Sequence, residues 1–473
     1  MKNSKFLKLA AKLDRETLIA FNKYIKKLHK GEEVALSVFD YIRKLHPDLE
    51  DHPKLEISRA YLKIFNESLE DNPYNRTKLL NALSDLHLWL KDFLLLQKMK
   101  DNSFESLAIW GIMLKKMGLQ EAFERHSLRL RSQLERMGRI SVLDYMKGMV
   151  ANYFFYYHLT RNKQEADISS LQDCSNDMDL FYAVSKLKIG CEMANRKNLM
   201  ARDFEQEPIT AVIELLKAKN LEDHLLLHLY LEVYRMIEKG EDRYACIEQL
   251  LTGNIRVIEP EELHTILSYM HNYASARIRK GHDEYWKMVH NLNKFTVAHG
   301  VFAGGGELSS IQFNNVITAA SISGDFKWAD VFMNSHKAYL NPDVQKNAIT
   351  LAKAVMTFEK KAYKKALNIL EEGEFRELFD VIRSRSLALR CLVELKDPAG
   401  VDIVEYCISF EGFLKRQKKR SWIVVKSTLN FIRMVEMIEK GKAEQDVLLE
   451  QINSTAEIFF KPWLIEKAKE SRR

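Results

Sequence analysis

Apolar residues recur at intervals of three and four along most of this chain, and that spacing constrains its fold more than any other feature. In "DRETLIAFNKYIKKL", Leu18, Phe21, Tyr24, Ile25 and Leu28 fall on one side of a 3.6-residue turn, and Asp14 stands where a helix cap belongs. "TKLLNALSDLHLWLKDFLLLQKM" repeats the pattern through Leu79, Leu83, Leu86, Leu90 and Phe93, with Thr77 as the expected cap. No stretch alternates apolar and polar residues between turn signals, so no sheet is expected. "SWIVVKS" is rich in β-branched residues but runs directly into the helical pattern of "TLNFIRMVEMIEKG". Helix breakers are scarce, with 18 glycines and 8 prolines in 473 residues. The chain reads as all-α.

Six of the eight prolines fall between the periodic segments, at Pro47, Pro53, Pro73, Pro260, Pro342 and Pro398. A proline has no amide to donate and clashes with the preceding turn, so it suits a joint or a first helical turn. The longest segment read as irregular runs from Arg161 to Asp179 and serves as a boundary. The expected organisation is an N-terminal helical region over 1–161, a helical-repeat array over 180–396 and a basic helical segment over 397–473. From Phe410 to the end there are 14 Lys and Arg against 9 Asp and Glu, most of the chain's net charge of +7.

Four short segments repeat a turn followed by an aromatic residue or alanine: "KGEDRYA" at Gly240, "KGHDEYW" at Gly281, "SGDFKWA" at Gly324 and "KKAYKKA" at Lys361. Their anchors lie 41, 43 and 37 residues apart, each between two helical runs. One helix pair cannot bury its apolar face alone, so such pairs stack. The unit "FNNVITAASISGDFKWADVFMNSHKAYLNP" resembles the tetratricopeptide family. Phe313, Val316, Ile317 and Ala320 match its first helix, Gly324 and Asp325 its turn, Ala329 and Met333 its second helix, and Pro342 its terminal proline. The Gly281 unit keeps Ala274, Gly281 and Trp286, and the Lys361 unit keeps Tyr363 and Ala366. The resemblance covers roughly Leu221 to Lys396 and implies stacked helical hairpins forming a curved, TPR-like alpha-solenoid. "DNPYNRTKLLNALSDLHLWLKDFL" is similar to the N-terminal region of large helical bacterial proteins and implies no activity.

The resemblance also implies a concave groove that binds another protein or peptide. Its side chains would be His271, Asn272, Ser275 and Arg279 from one repeat and Asn314, Asn315, Thr318 and Ser321 from the next. Asn272 and Asn315 share a repeat position, and an amide there can both donate to and accept from a peptide backbone. The alternative partner is nucleic acid, through possible phosphate contacts from Lys415, Arg416, Lys418, Lys419 and Arg420 in "FLKRQKKRSW".

Catalytic motifs are missing from the sequence. "VFAGGGELSS" lacks the lysine and preceding strand of a phosphate loop. It reads as a joint, with Gly300 ending one helix and Ser309 or Ser310 capping the next. His224 with His228, and His264 with His271, stand one or two helical turns apart without a third ligand, so no metal or cofactor is expected. Five cysteines without a C-x-x-C pair, no apolar leader in "MKNSKFLKLAAKL" and no long apolar run fit a cytoplasmic, bacterial protein without a membrane span. The expected role is a non-catalytic scaffold, with an enzyme whose site is unrecognised as a further alternative.

Overall fold

The computed structural model describes residue 1 and residues 4–49, 52–69, 73–101, 103–138, 140–158, 168–200, 204, 209–219, 224–300, 302, 308–396, 400–417, 423–441 and 444–470. The described residues form α-helices joined by short turns, with no strand beyond a single bridge between Leu308 and Leu340. By internal contact the chain divides into two compact units, Met1–Arg136 with Val150–Ser170, and Met137–Met149 with Leu171–Arg473.

The first unit contains α1 (Lys5–Ala10), α2 (Arg15–Leu28), α3 (Glu33–Arg43), α4 (Ile57–Phe65), α5 (Pro73–Met99), α6 (Phe104–Lys116) and α7 (Gln120–Met137). Asp14 caps α2, its carboxylate accepting from the Thr17 amide. Helix α5 begins at Pro73, one turn before Thr77, because proline pre-sets the first helical dihedral and loses no bond there. Leu79, Leu83, Leu86, Leu90 and Phe93 of α5 are buried against α1, α2 and α3. At the centre, Phe21 meets Phe39 edge-on at 5.1 Å, a favoured arrangement of ring quadrupoles. A smaller cluster of Leu107, Leu130 and Ala151 lies apart from this core.

The division between units falls within α8 (Val142–His158) and α9 (Ile168–Met200). The segment expected to be irregular, Arg161 to Asp179, is helical from Ile168 onward. It contains no glycine or proline, and Cys174, Leu180, Ala183, Leu187 and Cys191 supply buried contacts at helical spacing.

The second unit continues with α10 (Ile209–Lys219), α11 (Leu225–Glu238), α12 (Tyr244–Asn254), α13 (Pro260–Arg279), α14 (Glu284–Ala298), α15 (Ser310–Ile322), α16 (Phe326–His336), α17 (Pro342–Glu359), α18 (Tyr363–Glu371), α19 (Leu378–Leu395), α20 (Ile403–Lys415), α21 (Ile423–Lys440), α22 (Gln445–Ser454) and α23 (Lys461–Glu470). From α11 onward each helix packs on the next in chain order except across the α12–α13 and α16–α17 joints, where contact is slight, and α11 on α13, α15 on α17 and α17 on α19 add contacts between first helices of successive hairpins.

All four repeat anchors occupy the left-handed region inside a hairpin: Gly240 at φ 69°, Gly281 at 95°, Gly324 at 77° and Lys361 at 62°. Three of them close alike. The amide after the anchor reaches back to a carbonyl one turn earlier: His282 to Arg277, Asp325 to Ala320 and Ala362 to Thr357. This is the double-bonded helix end that a left-handed residue permits. Lys361 adopts it without being glycine, at a cost of roughly 1 kcal/mol. The joint before α15 has the expected ends, Gly300 at φ 68° and Ser309 accepting from the Gln312 amide. Gly304, Gly305 and Gly306 lie outside the described residues.

Candidate functional site

The residues expected to line a groove are spread among three environments. On α13, the polar face turns toward α9. The Asn272 side chain donates to Asn195 at 3.0 Å, and the Tyr269 hydroxyl donates to Glu192 at 2.9 Å. One end of this ladder is Glu262, almost fully buried, which accepts from Lys188 at 2.8 and 2.9 Å, from the Val142 amide at 3.2 Å and from the Tyr230 hydroxyl. The carboxylate is thereby compensated, as a buried charge requires. Burial, with Glu262 adding, pushes the Tyr230 phenol far above its usual range and keeps it a donor. His271 is half-buried, and burial with the neighbouring His264 charge pushes its imidazole down to about 4. Ser275 is exposed.

Arg279 is buried, not presented outward. Its Nε donates to Glu457 at 3.0 Å, so the turn between α22 and α23 returns to the end of α13. The Lys461 side chain passes close to Gly281 at the same place. Two polar residues of α15 also face inward. Asn314 donates to the Ser310 carbonyl at 3.0 Å and Ser321 to the Ile317 carbonyl at 2.7 Å, each bonded within its own helix. Thr318 is half-buried and Asn315 exposed. The Asn315 side-chain oxygen accepts from Arg383 of α19, which also reaches the Ile311 carbonyl at 3.4 Å. Of the eight side chains, Asn272, Arg279, Asn314, Asn315 and Ser321 thus have partners within the unit. An amide or guanidinium on a packed helix face takes the nearest polar group, since leaving it unpaired costs more.

The basic run is divided in the same way. Lys415 pairs with Glu411 at 3.2 Å, and Arg433 of α21 reaches the same carboxylate at 3.1 Å. Partial burial opposes ionisation of Glu411, but these two cations hold its carboxyl below the usual range. Arg416 is exposed, and Lys418, Lys419 and Arg420 lie outside the described residues. His228 stands 4.0 Å from Glu232, whose carboxylate is held by Arg235 at 2.6 Å and Arg243 at 3.5 Å. Among the described residues no three His, Cys, Asp or Glu side chains converge as a metal site would need.

A different surface stands out in the first unit. Helix α6, "FESLAIWGIMLKK", buries Leu107, Gly111 and Leu114 on one side. Gly111 matters to that packing, because the His126 ring lies 3.4 Å from where a β-carbon would stand. On the other side Ile109, Trp110, Ile112 and Met113 are 38–48% exposed, and Met117 follows at 53%. The last turn of α5, just before α6, exposes Leu95, Leu96 and Met99. Isolated exposed apolar residues are ordinary, but a contiguous helical face of this kind is rare on a free surface. Sequence reasoning missed it because a helix that is apolar all round reads as enclosed. The run from Leu107 to Leu114, apolar but for Gly111, was the available signal.

No protein-family model, curated protein or solved structure matches this chain.

Proposed function

We propose that the chain is a non-catalytic scaffold that binds another protein, and that the exposed side of α6 is its contact surface. The observation that carries this reading is the cluster of Ile109, Trp110, Ile112, Met113 and Met117, uncovered on one helix. Tryptophan and methionine are enriched at interface centres, where a large apolar ring or an adaptable thioether is desolvated by the partner. The second unit supplies the frame, read as stacked TPR-like hairpins in a curved solenoid. Chain-order packing and the shared turn closure at Gly281, Gly324 and Lys361 support that arrangement. Within the second unit, Ser275 and Thr318 keep enough exposure for polar contacts of their own. The five free thiols, four of them buried, suit a reducing compartment such as the cytoplasm. No helix among the described residues is long and apolar enough to cross a membrane.

The test is chemical crosslinking of purified chain with native lysate, comparing the parent with Trp110→Glu and Met113→Glu. Loss of crosslinked protein in both variants, with the helical circular dichroism unchanged, is the expected result. Equal yields from all three would remove α6 as the contact surface.

A further inference from the structure

Helix α18 carries its charges in the order that its own dipole opposes. A helix favours acids in its first turn and bases in its last. Here Lys364 and Lys365 stand in the first turn, directly after Lys360 and Lys361, and Glu371 and Glu372 stand at the end. The other three repeat turns follow the rule, with Glu241 and Asp242 after Gly240, Asp283 and Glu284 after Gly281, and Asp325 after Gly324. After Lys361 no acid occurs before Glu371. All four lysines are exposed. Among the described residues none of their side chains meets a carboxylate, and only Lys360 has a partner, the Phe326 ring at 5.0 Å. The acids that act on Tyr363, between the two lysine pairs, are engaged elsewhere. Glu359 lies 3.9 Å from Arg390, and Glu394 accepts from Trp463 at 2.6 Å and Lys467 at 3.0 Å. Four like charges thus crowd one turn without a counter-charge, in an arrangement that works against the fold. Departures of this kind from local rules are characteristic of sites kept for a partner.

We infer that this lysine turn binds a short acidic segment of another protein. The inference concerns the second unit and is independent of α6. Complementary charge sets the class of ligand, and the size of the patch sets its length. Glu371, Glu372 and Glu374 are exposed, and the first lies about 9 Å along the helix from Lys365. A nucleic-acid backbone or an anionic membrane spreads its charge over longer distances and meets those acids, whereas a segment of a few residues ends before them. Lysine also lacks the planar fork with which arginine grips a phosphate. The rings at this turn, Tyr363 and Phe326, are half-buried and offer no platform for a base.

Fluorescence anisotropy tests this, with the full chain titrated into a labelled peptide of alternating glutamate and serine. The parent should bind it, and should bind the glutamine counterpart at least tenfold more weakly, as an interaction led by complementary charge requires. Affinity should fall several-fold between about 50 and about 200 mM salt, since exposed charges are screened. Lys364→Glu with Lys365→Glu should weaken binding about tenfold. The same double variant should melt about 2 °C higher, because it corrects the first turn of α18. Lys23→Glu with Lys27→Glu on α2, an equal change of charge at exposed positions of the first unit, should leave binding within twofold. Equal binding of the two peptides, equal losses in the two double variants, or tighter binding of a DNA duplex or of phosphatidylserine vesicles through Lys364 and Lys365 would overturn the inference. A lower melting temperature in the α18 variant would do so as well, since the lysines would then serve the fold.

Discussion

Helices α6 and α15 are each 13 residues long, yet their surroundings differ. Helix α15 is packed by α14, α16 and α17, and buries Phe313, Val316, Ile317, Ala319 and Ala320 together with Asn314 and Ser321. Helix α6 buries only Ser106, Leu107, Gly111 and Leu114 and leaves its large side chains outside. Composition alone does not determine enclosure. A helix in the middle of the hairpin series has neighbours on several sides, while α6, packed on one side by α5 and α7, keeps an uncovered face. That face is where a second molecule finds apolar area to bury.

The comparison can be broken most directly in the core of α15. Phe313→Ala should destabilise the second unit by about 3–4 kcal/mol, the usual cost of deleting a fully buried ring, measured by urea denaturation. A loss under half of that would mean α15 is less enclosed than it stands here. Acid should act next. The His271 imidazole is depressed to about 4 from an ordinary 6.5, so the folded state binds fewer protons than the unfolded one between those values. Stability is therefore complete above pH 6.5 and falls as the pH drops toward 4, by about 2 kcal/mol after allowance for residual hydration of a half-buried ring. His271→Gln should flatten that part of the profile.

Smaller effects sharpen the repeat assignment. Gly324→Ala should cost about 1 kcal/mol, because alanine resists the left-handed turn, and Lys361→Gly should return about 0.5–1 kcal/mol by relieving the same strain. Opposite signs in thermal melts are the test, and equal signs would dissociate the two turns. The smallest change is expected on α6, where Trp110→Glu should alter monomer stability by no more than about 0.5 kcal/mol, as for a residue with little packing to lose.

Much of this arrangement was legible in the residues. The 3.6 period gave the helices, and the glycines at 240, 281 and 324 marked the hairpins because only a left-handed residue lets the chain reverse there. Lys361 was recognisable by its spacing from the others and by Tyr363 and Ala366 after it. The joint between α14 and α15 was readable from Gly300 and Ser309 for the same local reasons. The fate of the polar face was not. Arg279 meets Glu457 across 178 residues, and Arg383 meets Asn315 across 68, pairings with no local signature in the chain. Polar positions that looked solvated in an idealised repeat were taken by neighbouring helices. The α6 surface escaped for the converse reason, since periodicity reports which faces are apolar but not how many neighbours arrive to cover them.

Methionine oxidation by dilute peroxide, followed by mass spectrometry, tests the central contrast most directly. Met113 and Met117 on α6 are 47% and 53% exposed, whereas Met333 and Met356, packed around α15, are 5% and 7% exposed. In dilute solution the first pair should oxidise rapidly and the second slowly, since access to the thioether sets the rate. Oxidation of Met113 as slow as that of Met333 in dilute solution would mean that the chain covers this face itself, and the account of α6 as a surface awaiting a partner would be contradicted.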